Sequence, residues 1–440
     1  MADSSVKSTL TELLGQIRDG KEVRTYLDRF SAAGGTRFAV FKLGGAVLRD
    51  DLETVAAGLS LLNSVGLTPL VVHGAGPQLD DAINAAGVDA GKKEGLRVTT
   101  PEVLEVTSRV AMETTIALAN AISSQGGKAA PVPPVAIRAR LKDKDAYGHV
   151  GEPVSVATDT LQSMADSGTI PLLSNIGVDE DGTLVNINAD SVAHALARAF
   201  RPLKIVFVTG TGGLLDPSGE IISSINLNAE LDQLVAEGAV HSGMKLKLEV
   251  IGELLDELPP ATSVSITSPA GIVRELFTHG GQGTLVRRGE AFERHNSLDT
   301  VDAEKLRELI EASFGRTLPD EYLASLEIHR IYVSAGYRTA AVLIRVGEAV
   351  VLDKFVVSPD ARGEGLTHGI WRLMTEDEPV IYWRSRRHNG FNDFYQARAD
   401  GFLRRDPWNI YWTGNASLSE AAHIIEKVAS RPASFIEDQQ

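Results

Sequence analysis

The chain has 440 residues, 43% of them apolar and 23% charged, which bounds it to two or three globular domains. A formal net charge of −15 argues against a nucleic-acid partner and against an anionic membrane surface, so anionic ligands need local cations. With no cysteine, disulfides, thiol nucleophiles and Cys-zinc sites are excluded, which fits a cytoplasmic protein; no signal core or membrane-length apolar run is read.

Residues 1–33 read as a helical arm. Val6, Leu10, Leu13, Leu14 and Ile17 share one stripe, and Val23, Tyr26, Leu27 and Phe30 form another. Such an arm packs on its own domain or on another subunit. Gly15 to Lys21 matches most of a P-loop, but Glu22 stands where the Mg²⁺ ligand belongs and no buried strand precedes it, so no nucleotide site is read there.

Residues 34–286 alternate short apolar strands, at 37–43, 69–73, 170–174, 204–208 and 263–267, with helical stretches such as 101–124 and 189–200. This predicts an α/β domain with a largely parallel sheet. Residues 178–185 predict a hairpin with Asp-Gly in its turn. Residues 287–302 are polar and aperiodic and read as a linker. Residues 303–440 hold all four tryptophans and read as a separate α+β domain.

Five elements in the first domain suit phosphoryl transfer. Lys42-Leu-Gly44-Gly45 and His73-Gly74-Ala75-Gly76 close two strands, and the glycines offer backbone N–H groups to a phosphoryl. Arg97 can clamp a carboxylate in two-pronged fashion. Asn186-Ile-Asn188-Ala-Asp190 and Lys245-Leu-Lys247 complete the set: two lysines to neutralise the transferring group and an aspartate to position them.

On these motifs the domain resembles the amino acid kinase family, and within it the acetylglutamate kinases. The resemblance implies a mainly parallel sheet sandwiched by helices, with ATP and Mg²⁺ used to phosphorylate N-acetyl-L-glutamate. It places Lys42 and Lys247 on the phosphoryl, Asp190 between them, and Gly44, Gly45, Gly74 and Gly76 as donors. Arg97 and Asn186 would hold acetylglutamate, and ATP would lie near Thr209 and Gly212. Two positions depart from the family pattern: Ala75 replaces a glycine, and Thr209-Gly210 stands where an aspartate is usual.

In the second domain an apolar strand, 355–357, enters Ser358-Pro359 and then Arg362-Gly363-Glu364-Gly365, a loop suited to a pyrophosphate. It resembles the GNAT acetyltransferase motif, with Thr367 in place of the final small residue. With Lys354, Arg384, Arg386, Asn389 and Tyr395, the stretch looks like the acetyltransferase domain of N-acetylglutamate synthases. That resemblance implies transfer from acetyl-CoA to L-glutamate. Arg362, Gly363, Gly365 and Thr367 would take the pyrophosphate, and the amides of Val356 and Val357 the acetyl-pantetheine end. Lys354, Arg384, Arg386 and Asn389 would hold the glutamate carboxylates, and Tyr395 would protonate the departing thiolate. No general base stands out: strand alternation points Asp353 away from Lys354.

Residues 271–284 resemble the L-arginine-binding segment of arginine-sensitive acetylglutamate kinases, with Glu275, Gly281 and Gly283, and with Tyr26 in the arm. A helix C-terminus ending in glycines fits the same residues. Together the resemblances imply a chain that makes N-acetylglutamate and phosphorylates it, as a homo-oligomer for which a tetramer is expected over a hexamer. The alternatives are a synthase whose kinase-like part only binds arginine, and a protein-lysine acetyltransferase, against which Arg384 and Arg386 speak. No resident metal site is expected.

Overall fold

The structure is a computed structural model, which describes residues 38–93, 95–228, 231, 242–259, 262–277, 282–361, 366–414 and 418–435. The expected arm, with Tyr26 and the near P-loop, lies outside them. The chain divides into two compact units, Met1–Arg288 and Gly289–Gln440.

The first unit is built on one eight-stranded sheet. Its strands are β1 (Ala39–Leu43), β2 (Leu70–His73), β3 (Ala129–Pro131), β4 (Ile170–Leu173), β5 (Lys204–Val208), β6 (Ser224–Asn226), β7 (Ser263–Thr267) and β8 (Thr284–Arg287), in the order β6-β8-β7-β5-β1-β2-β4-β3. Every neighbouring pair is parallel except β7 and β8. Alternate residues of β1 and β2 serve two cores, as a sheet covered on both faces requires. Phe41, Leu43 and Val71 pack with Leu59, Leu118 and Ile122 on one face. Val40, Leu70 and Val72 pack with Leu161, Val192 and Leu196 on the other.

The helices that matter for the site are α1 (Gly45–Asp50), α2 (Gly76–Ala86), α3 (Pro101–Ser124), α4 (Ala189–Phe200) and α5 (Ser242–Asp256). Thr100 caps α3 by accepting from the Val103 N–H, with Pro101 just inside the helix. Asn188 caps α4 by accepting from Asp190 N–H at 2.9 Å. A small closed barrel of 137–141, 150–156, 176–178 and 184–187 stands beside the sheet. It contains the expected hairpin, whose turn has Gly182 at φ 81°.

The second unit has seven strands: β9 (Phe292–His295), β10 (Ile328–Ser334), β11 (Thr339–Val346), β12 (Ala349–Val357), β13 (Tyr382–Arg386), β14 (Gly401–Arg405) and β15 (Trp408–Trp412), in the order β9-β10-β11-β12-β13-β15-β14. The stretch read as a linker therefore contributes an edge strand, β9; an edge with few buried residues needs no apolar alternation. Helices α6 (Ala303–Phe314) and α9 (Leu418–Ser430) cover one face, and α7 (Leu366–Asp377) and α8 (Asn392–Gln396) the other. Two irregularities shape this sheet. β12 and β13 are parallel and pair only at Val351–Tyr382 and Leu352–Trp383, beyond which their pairing stops. A bulge at Asp353 shifts the β11–β12 register, Val342 facing Lys354 and Leu343 facing Leu352.

Candidate active sites

The first site lies at the carboxyl ends of β1, β2, β5 and β7. Chain order reverses there, with β2 on one side of β1 and β5 on the other, and open α/β sheets place ligands at such points. A cleft of about 320 Å³ is lined by Lys42, Gly45, Gly74, Gly76, Arg97 and Asn186, among others. Lys42 Nζ stands 2.9 Å from Asp190 Oδ1, at an angle that leaves this oxygen without a proper hydrogen bond.

The four glycines have different duties. Gly44 N–H donates to Val208 O at 3.3 Å and Gly74 N–H to Leu43 O at 3.1 Å, so these two tie strand ends and are not phosphoryl donors as expected. Gly45 and Gly76 instead begin α1 and α2, where first-turn N–H groups have no intrahelical partner. A Cβ on Gly45 would lie 2.6 Å from Gly76 N, so the two helix starts abut because residue 45 is glycine. Ala75 sits at φ −138°, where any residue is comfortable, so its methyl replaces a glycine without strain.

Arg97 pairs with Asp80 of α2 and keeps only 11% of its side chain exposed. Asn186 donates to Thr99 Oγ1 at 3.1 Å and accepts from Asn175 Nδ2 at 2.9 Å. Asn175, Asn188 and Lys92 line the same cleft, and Gln78 Nε2 donates to Gly45 O at 2.8 Å. Asp80, Asn175 and Gln78 were missed in the sequence because no local pattern marks them. Asn188 was visible only as part of the Asn186–Asp190 motif. Gln78 Oε1, Asn175 Oδ1 and Asp190 Oδ1 are buried acceptors without hydrogen bonds among the described residues, which suits a site completed by a ligand's donors. His73 is fully buried with Nε2 2.8 Å from Thr115 Oγ1, and burial pushes its pKa down to about 4, so it stays neutral.

Lys247 is exposed on α5 and does not line the cleft; the expected bracket of two lysines around Asp190 is reduced here to Lys42. Thr209 follows β5 and its N–H donates to Thr267 O at 2.8 Å. Gly212 holds a turn at φ 73°. Gly210 has open space where a side chain would be.

The second site is the splay between β12 and β13. Val356 faces β11: Ser358 N–H donates to Arg338 O at 2.8 Å, and the Thr339 hydroxyl donates to Val356 O at 2.8 Å. Alternation then turns Val357 the other way, where its carbonyl accepts from the Ser313 hydroxyl at 3.0 Å. The expectation of two ligand-facing amides is thus corrected to Val357 alone. Thr367 lies in the first turn of α7; Arg362, Gly363 and Gly365 lie outside the described residues.

Lys354 and Asp353 meet, against the expectation from alternation, because the bulge cancels it. Nζ is 2.6 Å from Asp353 Oδ2 and 2.9 Å from the Tyr322 hydroxyl, and both side chains are buried. Arg431 reaches Asp353 Oδ1 at 2.8 Å. Burial opposes charge on Asp353, but the Lys354 ammonium and Arg431 guanidinium hold its carboxyl below the usual range. Burial holds Lys354 below the usual lysine range.

Arg384 is not a free carboxylate clamp. Its donors meet the carbonyls of Val428, Ala429, Arg431 and Pro432, at the end of α9. Burial, then Arg431, pushes its pKa down to about 10. Arg386 lies exposed over Trp408, 4.1 Å from the ring centroid. Asn389 accepts from Phe391 N–H at 2.9 Å and shapes the turn into α8. Tyr395 is packed among Phe355, Trp371, Trp383, Phe394 and Tyr411. Burial, then Tyr411, raises its phenol above the ordinary value.

At the suggested arginine segment, Glu275 is buried and accepts from Gly283 N–H at 3.1 Å, closing its own loop. Gly283 has Ile266 O only 2.0 Å from where its Cβ would be, so a close backbone approach explains this glycine. Gly281 lies outside the described residues.

Residues 37–260 match the amino acid kinase family, and residues 293–431 match the N-acetyltransferase of N-acetylglutamate synthase. An acetylglutamate kinase of Xanthomonas campestris is 44% identical over 416 residues, 93% of this chain and 98% of that protein. An N-acetylglutamate synthase from Neisseria gonorrhoeae complexed with coenzyme A and N-acetyl-glutamate has a similar fold. It gives TM-score 0.62 at 19% identity, over 91% of this chain and 100% of that one. The same synthase complexed with coenzyme A and L-arginine gives 0.59 at 18% identity, over 90% and 99%.

Proposed function

The chain belongs to the amino acid kinase family and carries an acetyltransferase domain of the N-acetylglutamate synthase type, and from that premise we propose that it makes N-acetyl-L-glutamate and phosphorylates it. The observation that carries this reading is the presence, in one chain, of the Lys42–Asp190 cleft and the open splay between β12 and β13.

In the first half-reaction the amine of L-glutamate attacks the acetyl-CoA thioester. A carbon–nitrogen bond forms, the carbon–sulfur bond breaks, Tyr395 protonates the departing thiolate, and the proton shed by the nitrogen passes through water to restore the phenol. Val357 N–H orients the acetyl end, and Arg386 with Lys354 attracts the carboxylates. In the second, the side-chain carboxylate of N-acetylglutamate attacks the terminal phosphoryl of MgATP, an acyl phosphate forms, the bond to the bridging oxygen breaks and ADP leaves. Lys42, held by Asp190, neutralises the developing charge, and the N–H groups of Gly45 and Gly76 add to it. Lys247 joins from α5. Arg97 and Asn186 hold acetylglutamate, and ATP lies along Thr209 and Gly212.

A cytoplasmic homo-oligomer, a tetramer, fits this role. Exposed Met112 and Ile116 on α3 support a subunit face. Arginine control through the 271–284 segment is part of the proposal and is supported by the segment's resemblance. The second reading, a synthase with a kinase-like regulatory unit, is favoured by one observation, the place of Lys247 off the cleft. Acetylglutamate with MgATP and hydroxylamine decides between them: hydroxamate forms if the kinase is live, and its absence removes that activity. Release of thiol from acetyl-CoA with L-glutamate tests the synthase, and added arginine slows one reaction or the other if the regulatory part holds.

A further inference from the structure

Residues 431–435 lie across the side chains assigned to the acetyl acceptor. Arg431 binds Asp353 at 2.8 Å, and the Arg431 and Pro432 carbonyls accept from Arg384 at 2.5 and 2.6 Å. Ser434 Oγ is 2.8 Å from the Tyr322 hydroxyl. The Phe435 ring packs on Phe314, 4.9 Å between centroids, and stands 5.5 Å from Lys354 Nζ. With these contacts made, the Lys354 side chain is 2% exposed, too little for a carboxylate to reach it.

The partners differ in their freedom to move. Asp353, Lys354 and Arg384 belong to sheet strands with buried neighbours on both sides. Residues 431–435 follow α9 and are not part of the sheet. Their hold on Arg384 consists of carbonyl oxygens, the atoms for which carboxylate oxygens are stronger replacements on a guanidinium. Among the described residues, cations exceed anions here: Lys354, Arg384 and Arg431 surround the carboxylate of Asp353, so a dicarboxylate entering gains charge pairing that the carbonyls do not supply.

We propose that residues 431–435 are a strap that closes the acceptor site, and that the carboxylates of the incoming amino acid displace its carbonyls from Arg384 and uncover Lys354. This rests on the acetyl-transfer reading above. Arg384 then caps the helix end in the closed state and binds a substrate carboxylate in the open one.

The chain has no cysteine, so Ser434→Cys carries the sole thiol. Its reaction with Ellman's reagent is timed in the full chain, with and without saturating L-glutamate and without acetyl-CoA. Displacement of the strap raises the rate by roughly fivefold or more, half-maximally near the glutamate KM. A rate that glutamate leaves unchanged or slows overturns the strap. As a second arm, Phe435→Ala removes the ring packed on Phe314 and loosens the strap while Lys354, Arg384 and Arg431 all stay in place. The KM for glutamate then falls by roughly threefold or more while the KM for acetyl-CoA holds; an unchanged or higher glutamate KM overturns the proposal. Wild-type thiol release with glutamate is measured first. Its absence removes the acetyl-transfer reading, whereas its presence with unmoved labelling removes only the strap.

Discussion

Asp353 and Lys354 are sequence neighbours on one strand, yet their charged ends lie 2.6 Å apart in a buried setting. A regular strand would send them to opposite faces. The extra residue at the bulge removes that alternation and lets a carboxylate neutralise a cation that burial otherwise disfavours.

Asp353→Asn leaves Lys354 and Arg431 facing an amide. Losing the counter-charge of a buried cation costs about 3–5 kcal/mol. The midpoint of urea unfolding, followed by the tryptophan fluorescence of the second unit, drops; an unmoved midpoint contradicts the account. The acid side carries the same sign. A carboxyl held below its ordinary value contributes stability above about pH 3.9, lost as pH falls through the lower folded value. Wild type therefore loses stability more steeply than the variant as pH falls below about 4.

Gly45→Ala and Gly76→Ala separate packing from loop flexibility. The new methyl at 45 would lie 2.6 Å from Gly76 N and 2.9 Å from Ala75 Cα, both backbone atoms, whereas at 76 it meets nothing within 4 Å. The first change costs roughly 1–3 kcal/mol and pushes the two helix starts apart. Hydroxamate formation falls further in Gly45→Ala than in Gly76→Ala; equal activity and stability of the two rules out the abutment as a functional constraint.

Lys42→Met and Asp190→Asn test the kinase assignment within one chain. Removing a group aimed at the developing phosphoryl charge lowers kcat by about 10²–10³, so Lys42→Met nearly abolishes hydroxamate. Asp190→Asn keeps the lysine but loosens it, with a smaller loss. Thiol release from acetyl-CoA stays at the wild-type rate in both. A parallel loss of the two activities would instead mean a damaged fold.

Elements whose cause is local were legible. β5, β7, α3 and α4 have the bounds read from the alternation of apolar runs and helical stretches. Lys42 and Asp190 were legible as chemistry, a cation and an anion at two strand-to-helix turns. What escaped depends on residues far apart in sequence or on a shift of register. Arg97 meets Asp80 across the cleft, Arg384 meets carbonyls more than forty residues later, and the bulge at 353 has no composition of its own. The glycines show the same divide: turn positions were visible, but not which N–H groups the neighbouring strands consume.

Arg384 and Arg386 share one face of β13, with Trp408 4.1 Å from each guanidinium, but have different work. Arg384→Gln gives up carbonyl contacts at the end of α9 and lowers the unfolding midpoint, by about 1–3 kcal/mol. Arg386→Gln leaves the midpoint in place and raises the KM for glutamate by about tenfold, the scale of one exposed carboxylate contact. Differential unfolding and initial rates on the same two proteins measure both. A stable Arg384→Gln would show that the cap is incidental.

Tyr395→Phe asks whether the phenol acts or merely packs. The ring sits among six aromatic neighbours, whose packing phenylalanine preserves, so the unfolding midpoint stays nearly unchanged. If the hydroxyl protonates the thiolate, kcat for acetyl transfer falls by about 10²–10⁴ while both KM values hold. Burial keeps the phenol protonated beyond its ordinary value near 10, so below about pH 10 the wild-type rate shows no alkaline loss due to this group. A variant within about threefold of wild type would leave Tyr395 as a packing residue and make solvent the proton donor, because general-acid help is worth at least tenfold more than that.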